Sequence, residues 1–368
     1  MLALKSLLAV LPFFFGQGVA AAPAPIPSGG VGVRANDTPP VYGAMTDFDY
    51  QSFLLGLNQE WIELDLFNYG VARFSAEEFA SAGLNADDVS LIQFMANQEI
   101  GHAQLLTNII ENGGHTPALQ CEYKYDFDNV RDFVNFCQRL TRWGESGVYG
   151  FLAHLDARDA ATLLTQSITT EARQQMTFRQ FSGAHPFPVY FETGISQSMA
   201  WSLLSRYIVS CPAQNPRIEW PIFPWLSVTN EPSLLVDGYN AAITHNRTSL
   251  TEPGRKVEFS WEAPGKTVSY NNSYNTSIGG LINATQPSFV AFINQLNVTY
   301  APLNVTGENT GFAYQPGGTV FENTNQEYQT IINGTSFVAL TDTDLYVTPY
   351  NLSLLNDHIF AWGLYQAN

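Results

Sequence analysis

Four glutamates and one histidine in the first half of this 368-residue chain have the residue types and spacing of metal ligands. Glu99 and His102 form a Glu-x-x-His pair, which on a helix places a carboxylate and an imidazole one turn apart on the same face. Glu60, Glu145 and Glu171 lie on three other segments with helical periodicity. Carboxylate together with imidazole suits iron or manganese. These residues predict a metal site, provided that their helices bring them together.

The elements that must position these side chains are predicted from hydrophobic periodicity. Four long helices and a shorter fifth one are expected at about 47–73, 86–112, 129–155, 159–182 and 197–210. Asn85 is the predicted N-cap of the second helix, and Gly113-Gly114 ends it. Four helices of similar length, with one longer connection between the second and third, are typical of a four-helix bundle with a crossover.

Each long helix has an apolar stripe at three- and four-residue steps, and each stripe contains a glutamate near mid-helix. An isolated ionised carboxylate in a dry interior costs on the order of tens of kcal/mol before it relaxes or takes up a proton. Converging carboxylates also repel one another and raise their pKa values. A bound cation would neutralise them. The alternative is a bundle that keeps them protonated or paired with a base, such as Arg142, one turn before Glu145.

Residues 46–211 resemble the secreted fungal ferritin-like proteins, including those described as stress-response or late sexual-development proteins. The resemblance is carried by Leu57-Asn-Gln-Glu60-Trp-Ile-Glu63, Glu99-Ile-Gly-His102, Glu145-Ser-Gly-Val148, Glu171-Ala-Arg-Gln174 and the tail from Pro186-Phe-Pro188 to Ser210-Cys-Pro212. It covers a little under half of the chain. By position it implies a ligand set of Glu60, Glu99, His102, Glu145 and Glu171.

The resemblance also implies roles for these ligands and shows one departure. Glu60 and Glu145 would be terminal ligands, with Glu63 as a replacement for Glu60, and Glu99 and Glu171 would be bridges. The family pattern has histidine three residues after the glutamate of the fourth long helix, where this chain has Gln174. A glutamine carbonyl binds hard cations but is a weaker donor to iron than imidazole. The ligands for the second metal of a di-metal site therefore depart from the family pattern at Gln174.

The residue pattern of the sequence changes from helical periodicity to short alternating runs from Pro221 onward. Short alternating runs at 256–261, 288–293 and 336–340 are separated by Pro, Gly, Asn, Thr and Ser, which predicts strands of a sandwich-like region. The expected fold class is α+β: a ferritin-like four-helix bundle over 46–212, followed by a β-rich region over 213–368.

The first residues predict a secreted glycoprotein. A short positive segment, an apolar run and an Ala-rich exit indicate a signal peptide over 1–22, followed by a Pro/Gly-rich linker over 23–45. Sequons for N-glycosylation are absent between Asn36 and Asn246 and frequent afterwards. They begin at Asn36, Asn246, Asn271, Asn275, Asn283, Asn297, Asn304, Asn333 and Asn351. The expected location is extracellular, with the cell wall as one destination.

Net charge and cysteine content limit the binding partners and the covalent structure of the protein. A net charge of −17 argues against nucleic acid or an anionic membrane as a partner. Three cysteines, Cys121, Cys137 and Cys211, predict one disulfide in an oxidising compartment, with its connectivity left open.

Three functions of different kinds remain open. The first is oxidation or peroxide chemistry, ferroxidase-like or catalase-like, at an iron or manganese centre. The second is metal sequestration without turnover. The third is a non-catalytic glycoprotein that uses the bundle as a scaffold for cell-wall contacts or self-association, because a fold alone does not fix a function.

Overall fold

The structure is a computed structural model that describes residues 45–235, 240–244, 247–321 and 330–368. All of these residues belong to one compact unit, Tyr42–Asn368. The predicted signal peptide, the predicted linker up to residue 44, and the sequons at Asn36 and Asn246 lie outside the described residues. No helix in the described part of the chain is long and apolar enough to cross a membrane.

Six α-helices make up the described first half, and the two longest have the predicted bounds. The helices are α1 Asp47–Arg73, α2 Ala76–Ser81, α3 Ala86–Asn112, α4 Val130–Leu152, α5 Arg158–Phe181 and α6 Gln197–Leu204. Side chains of Thr46, Asn85 and Asn129 accept hydrogen bonds from first-turn N–H groups of α1, α3 and α4, which satisfies donors without intrahelical partners.

Two local predictions require correction. The helix expected at 197–210 ends at Leu204, and Ile208–Ser210 forms strand β2, paired with β1, Glu122–Tyr123. The β-branched residues Ile208 and Val209 favour a strand, and a disulfide between Cys121 and Cys211 fastens the same two segments. The sequence prediction also omitted α2, although Ser75 and Glu78 form the reciprocal hydrogen bonds of a capping box at its start.

The four long helices form the predicted bundle. α1 packs along α3, α4 packs along α5, and α1 also contacts α4, whereas α3 and α5 touch each other at few points. The bundle interior is apolar on either side of mid-helix, with fully buried Phe53, Phe67, Phe133 and Phe178. The side between α3 and α5 is therefore the least closely packed wall of the bundle.

The second half contains two four-stranded antiparallel sheets and a short hairpin, β5 with β6. One sheet has the order β3-β4-β10-β9 and the other β12-β11-β7-β8. The bounds are β3 Leu226–Val228, β4 Lys256–Trp261, β5 Thr267–Val268, β6 Tyr274–Asn275, β7 Phe289–Asn294, β8 Asn297–Pro302, β9 Asn304–Gly307, β10 Thr310–Tyr314, β11 Thr335–Thr341 and β12 Ile359–Gln366. The expectation of a helical bundle followed by a β-rich region is confirmed.

The sheet containing β11 and β12 is buried on both faces. Successive side chains of a strand point to opposite faces. Val338 and Leu340 of β11 pack in the core shared with the other sheet, whereas Phe337 and Ala339 join the core that includes the helical bundle. Phe337 stacks on Trp362 of β12 with ring centroids 5.5 Å apart. This sheet therefore supports the bundle directly.

Candidate metal centre

Four of the seven predicted ligands come together inside the bundle. Glu60 of α1, Glu99 and His102 of α3, and Glu171 of α5 each offer one ligand atom, and these atoms lie within 4.8 Å of one another. It is the one cluster of this kind in the part of the chain that the structure describes. Three helices thus supply three carboxylates and one imidazole to a single point.

The imidazole of His102 faces the carboxylates with Nδ1. This nitrogen lies 2.9 Å from Glu99 Oε2, 3.3 Å from Glu60 Oε2 and 3.7 Å from Glu171 Oε1. Burial by itself lowers the pKa of His102, but the nearby carboxylates of Glu60 and Glu99 raise it to about 11. Without a metal the ring is therefore a cation that partly offsets the carboxylates.

The other ring nitrogen of His102 is held by Thr170. Nε2 lies 3.0 Å from Thr170 Oγ1, and that hydroxyl donates its own proton to the carbonyl oxygen of Ser167 at 2.7 Å. A hydroxyl has one proton to donate, so Thr170 must accept from Nε2–H. Once the ring is neutral, Nδ1 carries the lone pair and faces the three carboxylates. A second hydrogen bond of this kind orients most metal-binding histidines.

The carboxylates are buried and incompletely hydrogen-bonded. Glu60, Glu99 and Glu171 are at most 2% exposed, and Glu60 Oε2 and Glu171 Oε1 have no hydrogen-bond partner. Burial raises the pKa of Glu99 to about 7, and burial together with the charge of Glu60 and its neighbours raises that of Glu171 well above its usual value. Buried acceptors without donors that point at one another fit a cation.

The remaining three predicted ligands lie outside this four-residue cluster. Glu63 Oε1 accepts a hydrogen bond from Gln59 Nε2 at 2.8 Å, and burial followed by the charges of Glu99 and Glu60 raises the pKa of Glu63 well above its usual value. Gln174 Nε2 donates to Glu99 Oε1 at 2.5 Å. Glu145 is fully buried with neither oxygen hydrogen-bonded.

Arg142 supplies the charge nearest to Glu145. Its Nη1 lies 3.7 Å from Glu145 Oε2 and also pairs with Oε2 of Glu192, which precedes α6. Burial raises the pKa of Glu145 to about 8 against the opposing effect of Arg142. The arginine is itself only 3% exposed. Arg142 thus lies beside Glu145, as expected for the alternative of a buried carboxyl that is protonated or paired with a base.

Two contributors to the site were not predicted. Thr170 directly precedes Glu171, but only the packing of α5 against α3 shows that its hydroxyl meets His102. Glu192 lies in the loop after α5, where no periodicity marks it as a partner of Arg142. His102 retains 12% side-chain exposure on the sparsely packed wall between α3 and α5, and is the most exposed member of the four-residue cluster.

Bundle topology and inward-facing carboxylates define a ferritin-like protein. Residues 46–184 match the family model described as a ferritin-like domain. Protein rds1 of Schizosaccharomyces pombe (strain 972 / ATCC 24843) is 49% identical over 347 residues, which cover 90% of this chain and 84% of that relative. The chain belongs to the fungal ferritin-like family that includes Protein rds1.

Proposed function

We propose that this chain binds iron or manganese between Glu60, Glu99, His102 and Glu171. The observation that carries the proposal is the pair of buried carboxylate oxygens, Glu60 Oε2 and Glu171 Oε1, that make no hydrogen bond and lie near a third carboxylate and an imidazole nitrogen. This donor set of oxygen and nitrogen is one that these metals accept. When bound, such an ion would supply one-electron chemistry with dioxygen or peroxide.

Two of the proposed ligands, His102 and Glu99, hold protons that a metal must displace. A metal binds only to deprotonated ligands. Metal binding must therefore remove the proton from His102, and also the proton from those Glu99 carboxyls that are protonated near neutral pH. Thr170 keeps the imidazole oriented while Nδ1 loses its proton. We therefore expect proton release on binding, and an affinity that rises with pH.

Metal content tests the proposal most directly. The full chain, freed of metal with a chelator, is titrated with Mn²⁺ or with anaerobic Fe²⁺, and bound metal is counted by elemental analysis. We expect about stoichiometric binding that Glu99→Gln and His102→Ala reduce at least about tenfold, as loss of a ligand or its support does. Glu111→Gln, an exposed change on the same helix, is the matched control. Less than about a tenth of an ion per chain would refute metal binding and favour the non-catalytic glycoprotein scaffold.

Turnover is a separate measurement. Oxidation of Fe²⁺ in air and consumption of peroxide distinguish a ferroxidase-like or catalase-like enzyme from a protein that sequesters metal. The partial exposure of His102 supports turnover, because a small oxidant must be able to reach the metal. Metal-loaded protein that fails in both assays would favour sequestration.

We also propose that the chain is a secreted glycoprotein. The leader-like first residues support this, and so do the exposed sequon asparagines Asn271, Asn275, Asn283 and Asn304. Asn333 is a poorer acceptor, because its amide is half-buried and donates to the carbonyl of Pro188. Secretion from a fungal host, with a mass decrease after endoglycosidase treatment, is the expected result; an unprocessed, unglycosylated intracellular chain would contradict it.

A further inference from the structure

We infer that this bundle holds one metal ion per chain, with Gln174 and Arg142 excluding the second ion of a di-metal centre. The inference rests on the proposed function, since it concerns the number of ions at the same site. Two separate features carry it: the contacts on the two oxygens of Glu99, and the cation beside Glu145.

The first feature is that the two carboxylate oxygens of Glu99 contact different partners. Oε2 faces His102 Nδ1 at 2.9 Å, inside the four-residue cluster. Oε1 accepts a hydrogen bond from Gln174 Nε2 at 2.5 Å. A carboxylate that bridged two metals through both of its oxygens would give one oxygen to each. Here the second oxygen is already taken by an N–H donor, which has no lone pair for a cation. Glu99 is therefore placed to bind one ion through Oε2.

Gln174 itself offers little to a second ion in this arrangement. Its Nε2 also lies 3.2 Å from Gln98 Oε1, so two acceptors hold the amide nitrogen on the α3 side. Its Oε1 is buried without a partner, but no imidazole accompanies it on α5. The nitrogen ligand that His102 provides for the first ion thus has no counterpart for a second.

The second feature is the guanidinium of Arg142. It is 3% exposed, lies 3.7 Å from Glu145 Oε2 and also pairs with Glu192. Arginine keeps its charge in proteins, so Arg142 cannot become neutral by losing a proton when a metal binds. A second ion at Glu145 would have to approach a fixed positive charge in a dry interior, where repulsion is strong. Arg142 thus holds a fixed positive charge where a second metal would have to bind.

The two ends of the carboxylate cluster consequently have different surroundings. Glu60, Glu99 and Glu171 converge on the point that His102 faces, and Glu60 and Glu171 each have one buried oxygen without a hydrogen bond. Glu145 lies beyond this point, and its nearest cation is Arg142. The structure thus assigns the metal to the His102 end and a protein cation to the Glu145 end.

The number of bound Mn²⁺ ions in the full-length protein tests this inference. Titration is followed by elemental analysis of the desalted complex and by electron paramagnetic resonance. We expect one ion per chain, with the hyperfine spectrum of isolated Mn²⁺. Two ions per chain with the spectrum of an exchange-coupled pair would overturn the inference while leaving the proposed metal-binding function intact. No bound ion would instead refute the proposed function.

A double variant tests the two residues named. Arg142→Met with Gln174→His removes the cation and restores an imidazole, so we expect a second equivalent of Mn²⁺ and an exchange-coupled spectrum. The matched control is Arg139→Met with Gln166→His; Arg139 pairs with Glu231 away from the cluster, and Gln166 is exposed on α5. The control should keep one ion. A folded double variant that still binds one ion would overturn the roles assigned to Arg142 and Gln174. If it does not fold, the wild-type count decides.

Discussion

Replacing Glu145 by glutamine should flatten the pH dependence of stability in the metal-free protein. The carboxyl of Glu145 is fully buried, and burial, opposed by Arg142, raises its pKa from 4.5 to about 8. Between these values the folded chain keeps a proton that the unfolded chain has released. The folded state therefore loses stability as pH rises through this window, and the cost is complete above pH 8.

The size of the effect follows from the pKa shift. One pKa unit corresponds to about 1.4 kcal/mol. Integrated over the titration, the cost of Glu145 is about 1 kcal/mol at pH 5 and about 4 kcal/mol at pH 8. The free energy of unfolding of the wild type should thus fall by about 3 kcal/mol more than that of Glu145→Gln between pH 5 and pH 8. Changes due to His102 and Glu99 occur in both proteins and cancel in the comparison.

Chemical denaturation of chelator-treated protein at the two pH values measures this difference. Glu111→Gln, which removes an exposed carboxyl, should follow the wild type at both. Parallel pH profiles for the wild type and Glu145→Gln would refute the reasoning, because they would show that Glu145 titrates alike in the folded and unfolded chains.

Three further predictions concern metal, orientation and covalent structure. Mn²⁺ at a free concentration about 100 times Kd should stabilise the wild type by about 2.7 kcal/mol, seen as a rise in Tm, and an equal rise in His102→Ala would place the ion elsewhere. Thr170→Val should weaken Mn²⁺ binding about 10- to 100-fold and Thr170→Ser should restore it; an unchanged Kd in Thr170→Val would contradict the orienting role. Removing the Cys121–Cys211 disulfide, whose sequence separation is 90, by serine substitution should lower the free energy of unfolding by about 4 to 5 kcal/mol in urea denaturation, and an unchanged midpoint would contradict this.

Local sequence signals were sufficient for the bundle and its inward-facing acids. Periodicity and N-cap residues such as Asn85 fix where a helix begins and which face is buried, and both are properties of neighbouring residues. The inward direction of Glu60, Glu99, Glu145 and Glu171 followed from the same stripes. Helical spacing alone also placed Glu99 and His102 on one face, and the structure brings them to 2.9 Å.

Contacts between distant segments could not be predicted in this way. Which glutamates meet His102 depends on the rotation and depth of α1 and α5 relative to α3, and neither is encoded within one helix. The pairing of Arg142 with Glu192 and the choice of Cys211 as partner of Cys121 depend on loops without periodicity. The strand at 208–210 was assigned to a helix because its partner strand is 85 or more residues earlier in the chain.

The carboxylate cluster imposes a cost that the rest of the fold must offset. Glu99, Glu145 and Glu171 all have raised pKa values, so near neutral pH the metal-free bundle either ionises them in a dry interior or keeps them protonated. Apolar burial on both faces of the sheet containing β11 and β12 contributes favourable free energy of the opposite sign. A helical bundle that contains these buried carboxylates is thus more stable when the β-rich region packs on it than it would be alone. The same support keeps the helices fixed, which holds the unpartnered oxygens of Glu60 and Glu171 in place for a cation.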